Sequence, residues 1–309
     1  MRIIRGLGDY PADAPPSVVA QGIFDGLHLG HQEVIRSAVG RARSVAAQAV
    51  ALTFDPHPVA VLRPAEAPPE IMPLDERLER IAELGPAVAL VIPFTLEFSQ
   101  VEAEAFVRDV LVGLLRAREV VVGFNHTFGR GARGNPTVLS ALAAPHGVSV
   151  HVIPPLSVNG VVVSSSSLRD ALRRGDVEGA ASLLGRPYTV RGVVSRGAER
   201  GRTLGFPTAN IVVREQAVLA DGVYAGRAGW EGESALAVIN VGVRPTFGDE
   251  PRTIEAHLLD ATPDLYGRTL TIAFLGRIRA EMRFPSVDAL RARIREDVAI
   301  ARRVLGRPR

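Results

Sequence analysis

Residues 22–31, GIFDGLHLGH, set three glycines beside Phe24, Asp25, His28 and His31. Glycines such as Gly22 and Gly26 let backbone N–H groups approach a phosphate, and the first turn of a helix adds a partial positive charge. His28 and His31 are three apart, so on a helix they share a face and can point at one anion. A zinc pair or two surface histidines are the alternatives, and zinc is disfavoured without a third histidine, a cysteine or a placed carboxylate nearby. A second cluster lies at 163–169, VSSSSLR, where Ser165 and Ser166 enter a helical stretch and Arg169 follows one turn later; hydroxyls, N–H donors and a planar charged fork suit phosphate. The third is GRTLGFPTAN at 201–210, in which Gly201 and Gly205 permit close approach to a nucleotide and Thr208 and Asn210 offer neutral oxygens to a hard cation. On the residues alone, a structural hairpin explains it as well. In TIEAHLL, Glu255 and His257 share a strand face and alternate with apolar Ile254 and Ala256, which fits either a general base or an ordinary solvent-facing carboxylate.

The composition narrows the chemistry. All 36 positive side chains are arginine; the chain has no lysine and no cysteine. A Walker-type P-loop and Schiff-base catalysis are thereby excluded, as are disulfides, thiol nucleophiles and thiolate metal sites. Phosphate chemistry here must use Arg, His, backbone N–H groups and metal. Against 33 acidic groups the formal net charge is only +3, so no basic footprint for nucleic acid is expected. No apolar run is long enough for a signal-peptide core or a membrane span, and a cytoplasmic protein without a membrane role is the expectation.

The elements that must hold these residues can be read from periodicity. A buried strand at 18–24 hands over through the glycine-rich turn to a helix reaching Ser44. Further strand-like runs at 49–54, 88–93, 119–123 and 148–153 alternate with helical stretches at 75–84, 101–116 and 136–144, which argues for a parallel sheet with crossover helices. After a helical segment at 168–184 the texture changes. Short β-branched runs at 188–195, 209–213, 223–229, 235–241, 253–259 and 269–274 predict a small all-β barrel or sandwich, closed by an amphipathic helix at about 286–305. At 309 residues two domains are expected, 1–185 and 186–309.

The stretch at 22–31 resembles the H-x-G-H signature of the nucleotidyltransferase superfamily. TFDPHP (53–58), VGFNHTFGRGARG (122–134) and VSSSSLR match its flavin-directed branch in order and spacing. That resemblance implies a Rossmann-like α/β domain. It assigns Gly22, Phe24, Asp25, Gly26, His28, His31, Ser165, Ser166 and Arg169 to ATP and its phosphates, and Asp55, Pro56, Pro58 and Asn125 to the flavin. Asn125 and His126 stand where Asp and Phe are common in the family, Ser166 where Thr is usual and Ser167 where Arg is frequent. GRTLGFPTAN resembles the hallmark of riboflavin kinases. DGVYAG (221–226), NVGVRPTFG (240–248), TIEAHLLD (253–260), DLYG (264–267) and FLGRIRAEMRF (274–284) follow in that family's order. It implies Gly201 and Gly205 at ATP, Thr208 and Asn210 at Mg2+ and the nucleotide phosphates, and Glu255 as base.

Together the halves resemble the prokaryotic bifunctional riboflavin kinase/FMN adenylyltransferase family. The resemblance implies ATP-dependent phosphorylation of riboflavin to FMN, followed by adenylyl transfer to give FAD and pyrophosphate. The partners implied are riboflavin, FMN, FAD, ATP and ADP, with Mg2+ as cofactor and a homo-oligomer left open. A kinase with a weakened adenylyltransferase half, and a flavin-binding regulator with degenerate sites, are the competing readings.

Overall fold

The computed structural model describes residues 1–196, 205–213, 219–242 and 253–306, and the chain forms two compact units. The first comprises Met1–Pro68 and Met72–Ser165; the second comprises Pro69–Ile71 and Ser166–Arg309.

In the first unit β1 (Arg2–Arg5), β2 (Ser17–Gln21), β3 (Gln48–Asp55), β4 (Val88–Pro93), β5 (Ala117–Gly123) and β6 (Ser149–Ile153) form one sheet in the order β1-β4-β3-β2-β5-β6. Every pairing in it is parallel. Near-continuous apolar strands such as VALVI in β4 are what a sheet covered on both faces requires. On one face Val18 and Ala20 of β2 pack against Val34, Ile35, Ala38 and Ala42 of α1 (Leu29–Ser44). On the other, Val19, Leu52, Leu90 and Val122 meet Phe106, Val110 and Leu111 from a helical run that is π-wound over Phe106–Leu114, together with Leu139 of a helix at Pro136–Ala143. β2 has β3 on one side and β5 on the other, so the sheet reverses its winding there. Open α/β sheets bind ligands at the carboxyl ends of strands at such a point.

Two strand expectations are corrected. The strand read at 18–24 ends at Gln21, because Phe24 and Leu27 adopt φ of +58° and +42° in the turn that follows. β1 was not anticipated: only Ile4 of its four residues is buried, too little for a periodic signal.

The second unit is a closed antiparallel barrel. After a two-stranded hairpin of β7 (Ser157–Val158) and β8 (Val161–Val162) in the first unit, the barrel strands are β9 (Tyr188–Ser195), β10 (Ala209–Val212), β11 (Gly222–Trp230), β12 (Glu233–Gly242), β13 (Thr253–Leu258) and β14 (Thr269–Arg279), in the order β10-β13-β12-β11-β14-β9. Closure removes the exposed strand edges. The closing helix, Val287–Leu305, lays Val298, Ala301 and Val304 over Val223, Ala225 and Val238. Asp297 of that helix, 1% exposed, receives Nε and Nη2 of Arg279 at 3.0 and 2.8 Å on Oδ2, and Nε of Arg293 at 3.2 Å on Oδ1. The segment read as helical over 168–184 is two helices, Ser165–Arg174 and Val177–Leu184. Gly175 separates them with φ +73°, and a Cβ there would lie 2.8 Å from Tyr224 Oη, so only glycine fits. No helix among the described residues is long and apolar enough to cross a membrane.

Candidate active sites

The turn between β2 and α1 is built by buried residues. A Cβ on Gly22 would sit 2.8 Å from the Phe24 ring, which lies folded back beneath the turn with no exposed surface. Two donors converge on the carbonyl oxygen of Ile23: Thr53 Oγ1 at 2.9 Å and Arg77 Nη1 at 2.8 Å. Asp25, buried, accepts the Met72 N–H on Oδ1 at 3.2 Å, and its carbonyl oxygen accepts from Ser165 Oγ at 3.1 Å.

His28 is the N-cap of α1 rather than a member of it, and its Nδ1 accepts the His31 N–H at 3.2 Å. The two imidazoles nevertheless come together, stacked with centroids 3.6 Å apart and 18° between planes, and Phe24 meets His31 edge-on. Two stacked rings at the positive end of a 16-residue helix make a surface suited to an anion.

Beside this turn the carboxyl end of the sheet carries aromatic rings. Phe54 contacts Phe94 and Phe98, Phe98 contacts Phe106, Phe106 contacts Phe128, and Phe128 stacks with His126, at centroid separations of 5.8–6.4 Å. Asp55 ends β3, the Asp55–Pro56 peptide is cis, and Pro58 opens a short helix capped by His57. Asn125 is exposed in the turn after β5, whereas burial pushes His126 from 6.5 down to about 4, so its ring is neutral at pH 7. In the second unit Ser166 lies in the first turn of the helix at Ser165–Arg174, and buried Arg169 donates from Nε to the carbonyl oxygen of Pro69 at 2.9 Å.

On the barrel, strand register sets the polar groups side by side. Asn210 of β10 stands opposite Glu255 of β13, which stands opposite Asn240 of β12. Directly opposed residues of an antiparallel sheet project to the same face about 5 Å apart, so the carboxylate is flanked by two carboxamides. The neighbouring positions Ile211, Ile254, Ala256, Ile239 and Val241 fill the barrel interior, so by alternation the polar row lies on the other face of the wall, where Asn210 is itself covered and only 8% exposed. His257 Nδ1 lies 2.8 Å from the carbonyl oxygen of Pro207 and its ring meets Phe206 edge-on, which ties the Phe206–Thr208 segment to β13. A cavity of about 460 Å³ opens beside Thr208, lined also by Pro207, Leu258, Asp264 and Tyr266. The PTAN and DLYG segments thus share one hollow. Gly205 has φ +85°, while Gly201 lies outside the described residues.

The sequence model of the FAD synthetase family matches residues 10–167, and that of riboflavin kinase matches residues 184–305. The bifunctional riboflavin kinase/FMN adenylyltransferase of Escherichia coli K12 is 35% identical over 309 residues, spanning 99% of this chain and 98% of that one. The protein of the same description from Listeria monocytogenes is 38% identical over 283 residues, covering 91% and 90%. The chain belongs to the bifunctional riboflavin kinase/FMN adenylyltransferase family. A crystal structure of a protein described as a macrolide-efflux protein from Streptococcus pneumoniae superposes with a TM-score of 0.89 at 31% identity, covering 98% of this chain and 99% of that one.

Two residues at these sites carry little signal in the sequence. Arg77 sits in LDERLER, which looks like a solvated charged helix, yet it is 1% exposed. Its signal was the spacing from Leu74 and to Leu78 and Ile81, which puts it on the inward face. Asn240 lies in the quoted NVGVRPTFG stretch, but only strand register sets it against Glu255.

Proposed function

We infer that the chain carries out both reactions of its family: the kinase domain at 186–309 makes FMN from riboflavin and ATP, and the adenylyltransferase domain at 1–185 makes FAD and pyrophosphate from FMN and ATP. For the kinase, the observation that carries the reading is the row Asn210–Glu255–Asn240 beside Thr208. Glu255 takes the proton of the terminal ribityl hydroxyl as its oxygen attacks the γ-phosphorus and ADP leaves. The donors present suit Mg2+, because Thr208 and Asn210 offer hard neutral oxygens beside a carboxylate, and no group of three or more His, Cys, Asp or Glu residues among the described residues is arranged for a softer metal. Mg2+ bound there supplies charge neutralisation at the transferred phosphates.

For adenylyl transfer the acceptor is already an anionic phosphate oxygen, so catalysis consists of positioning and charge stabilisation. His28 and His31 receive the charge of the departing pyrophosphate, and the backbone at Gly22, Phe24, Asp25 and Gly26 cradles ATP. Ser165, Ser166 and Arg169 take ATP phosphates by their place in the family motif. Asp55, Pro56, Pro58 and Asn125 face the flavin, and the aromatic row gives that end of the sheet an apolar character suited to its ring. Riboflavin, FMN, FAD and the adenine nucleotides are the only partners in this reading, the location is the cytoplasm, and neither nucleic acid nor membrane takes part. FMN, ATP and Mg2+ given to the intact chain test the first unit by itself. FAD and pyrophosphate in equal amounts are expected; their absence, with kinase turnover retained, favours the weakened-domain reading that His126 and Ser167 motivate.

A further inference from the structure

Two buried polar groups of the first unit lack a hydrogen-bond partner: both amide atoms of Gln21, which is 2% exposed, and Nε2 of His126. An unpaired buried polar group costs about 1–3 kcal/mol, and native proteins rarely keep one unless a ligand or ordered water completes it. Both lie at the sheet's switch point. Gln21 is the last residue of β2, whose Ala20 pairs with Val121 of β5, and His126 follows the end of β5 at Gly123 by three residues.

They also share a side of the sheet. Side chains alternate along β2: Val18 and Ala20 pack toward α1, while Val19 belongs to the opposite core, and Gln21 follows Val19. Phe128, on which His126 stacks, is part of that opposite core, as are Phe54 and Phe106 of the aromatic row. A planar ring laid against those phenylalanines would bring its edge toward an amide and an imidazole. The amide supplies one donor and one acceptor, and the neutral imidazole can use Nε2 as either. That set complements an edge alternating carbonyl, N–H and carbonyl, as the pyrimidine end of isoalloxazine does.

We propose that Gln21 and His126 form the polar end of the flavin-ring subsite and read the carbonyl–imide edge of FMN; this rests on the reading that the first unit adenylylates FMN. The test is steady-state FAD formation by the intact chain at saturating ATP, comparing FMN with N3-methyl-FMN, whose imide donor is blocked. The wild type should show a KM on the order of 10- to 100-fold higher for the methylated analogue, the equivalent of one or two lost hydrogen bonds. Gln21→Leu should raise the KM for FMN by a similar factor, leave kcat nearly unchanged because the ring edge is remote from the reacting phosphate, and abolish discrimination between the two flavins. His126→Phe should raise the FMN KM with the KM for ATP unmoved. Gln21→Met serves if the leucine variant does not fold, and the wild-type analogue comparison needs no variant. Equal KM values for the two flavins in the wild type overturn the proposal, as does a Gln21 variant that raises the KM for ATP instead. No FAD from either flavin removes the underlying adenylyltransferase reading, a distinct outcome.

Discussion

His126 gives the first unit a calculable acid sensitivity. Burial lowers its pKa from 6.5 to about 4, and burial is the only cause of the shift. Between those values the unfolded chain binds a proton that the folded chain refuses, so protonation draws the equilibrium toward unfolding. The stability tied to a neutral His126 is complete above about pH 6.5 and is lost as the pH falls toward 4. At 1.36 kcal/mol per pKa unit the whole loss is about 3 kcal/mol, of which about 2 kcal/mol has accumulated by pH 5. For a unit of this size that lowers Tm by roughly 4–8 °C.

His126→Phe keeps an aromatic ring against Phe128 and removes the titration. Other groups titrate in both chains, so the quantity to read is the difference between wild type and variant. Calorimetry of the ligand-free chain at pH 7.5 and pH 5.0 measures it, and the fluorescence of Trp230, the only tryptophan, identifies the transition of the barrel unit. The first unit of the variant should lose less of its Tm on acidification than that of the wild type, by the amount above. Midpoints that fall in parallel in the two chains would show that His126 does not titrate with folding.

Glu255→Gln should lower riboflavin phosphorylation by several orders of magnitude while FAD formation from FMN persists; a small change in kinase turnover removes the carboxylate as base. His28→Ala should abolish FAD formation and spare the kinase, measured as FMN produced from riboflavin, and near-normal FAD turnover would contradict its role at phosphate. Asp297→Ala leaves the Arg279 guanidinium, largely buried, without its carboxylate, so the barrel unit should lose about 3–5 kcal/mol in denaturant titrations followed by Trp230 fluorescence.

How much of this was legible depended on the range of the signal. The α/β alternation and the barrel strands were readable because each element carries its own period: IEAHL alternates as a half-buried strand does, and VALVI is continuous as a parallel strand must be. The break at Gly175 is hidden in the sequence because helical periodicity resumes at Val177, and the glycine is required by crowding from Tyr224, a residue distant in sequence. β1 is too short to announce itself and depends on its pairing with β4. Among the site residues, His28 and His31 could be grouped from spacing, although His28 caps the helix instead of lying in it. Arg77 sits among charged neighbours, and its function as a donor beneath the turn depends on the Ile23 carbonyl, 54 residues away. The juxtaposition of Asn240 with Glu255 is a matter of register, which periodicity alone does not fix.

One chain without lysine performs a phosphoryl transfer and then an adenylyl transfer at two separate sites. Incubating the purified protein with riboflavin, ATP and Mg2+ and resolving the flavins over time tests it most directly. FMN should rise first, then decline as FAD accumulates, with ADP formed in the first phase and pyrophosphate in the second. FMN that accumulates without FAD would rule out adenylyl transfer by the first unit, and unaltered riboflavin would rule out the kinase and with it the two-step sequence.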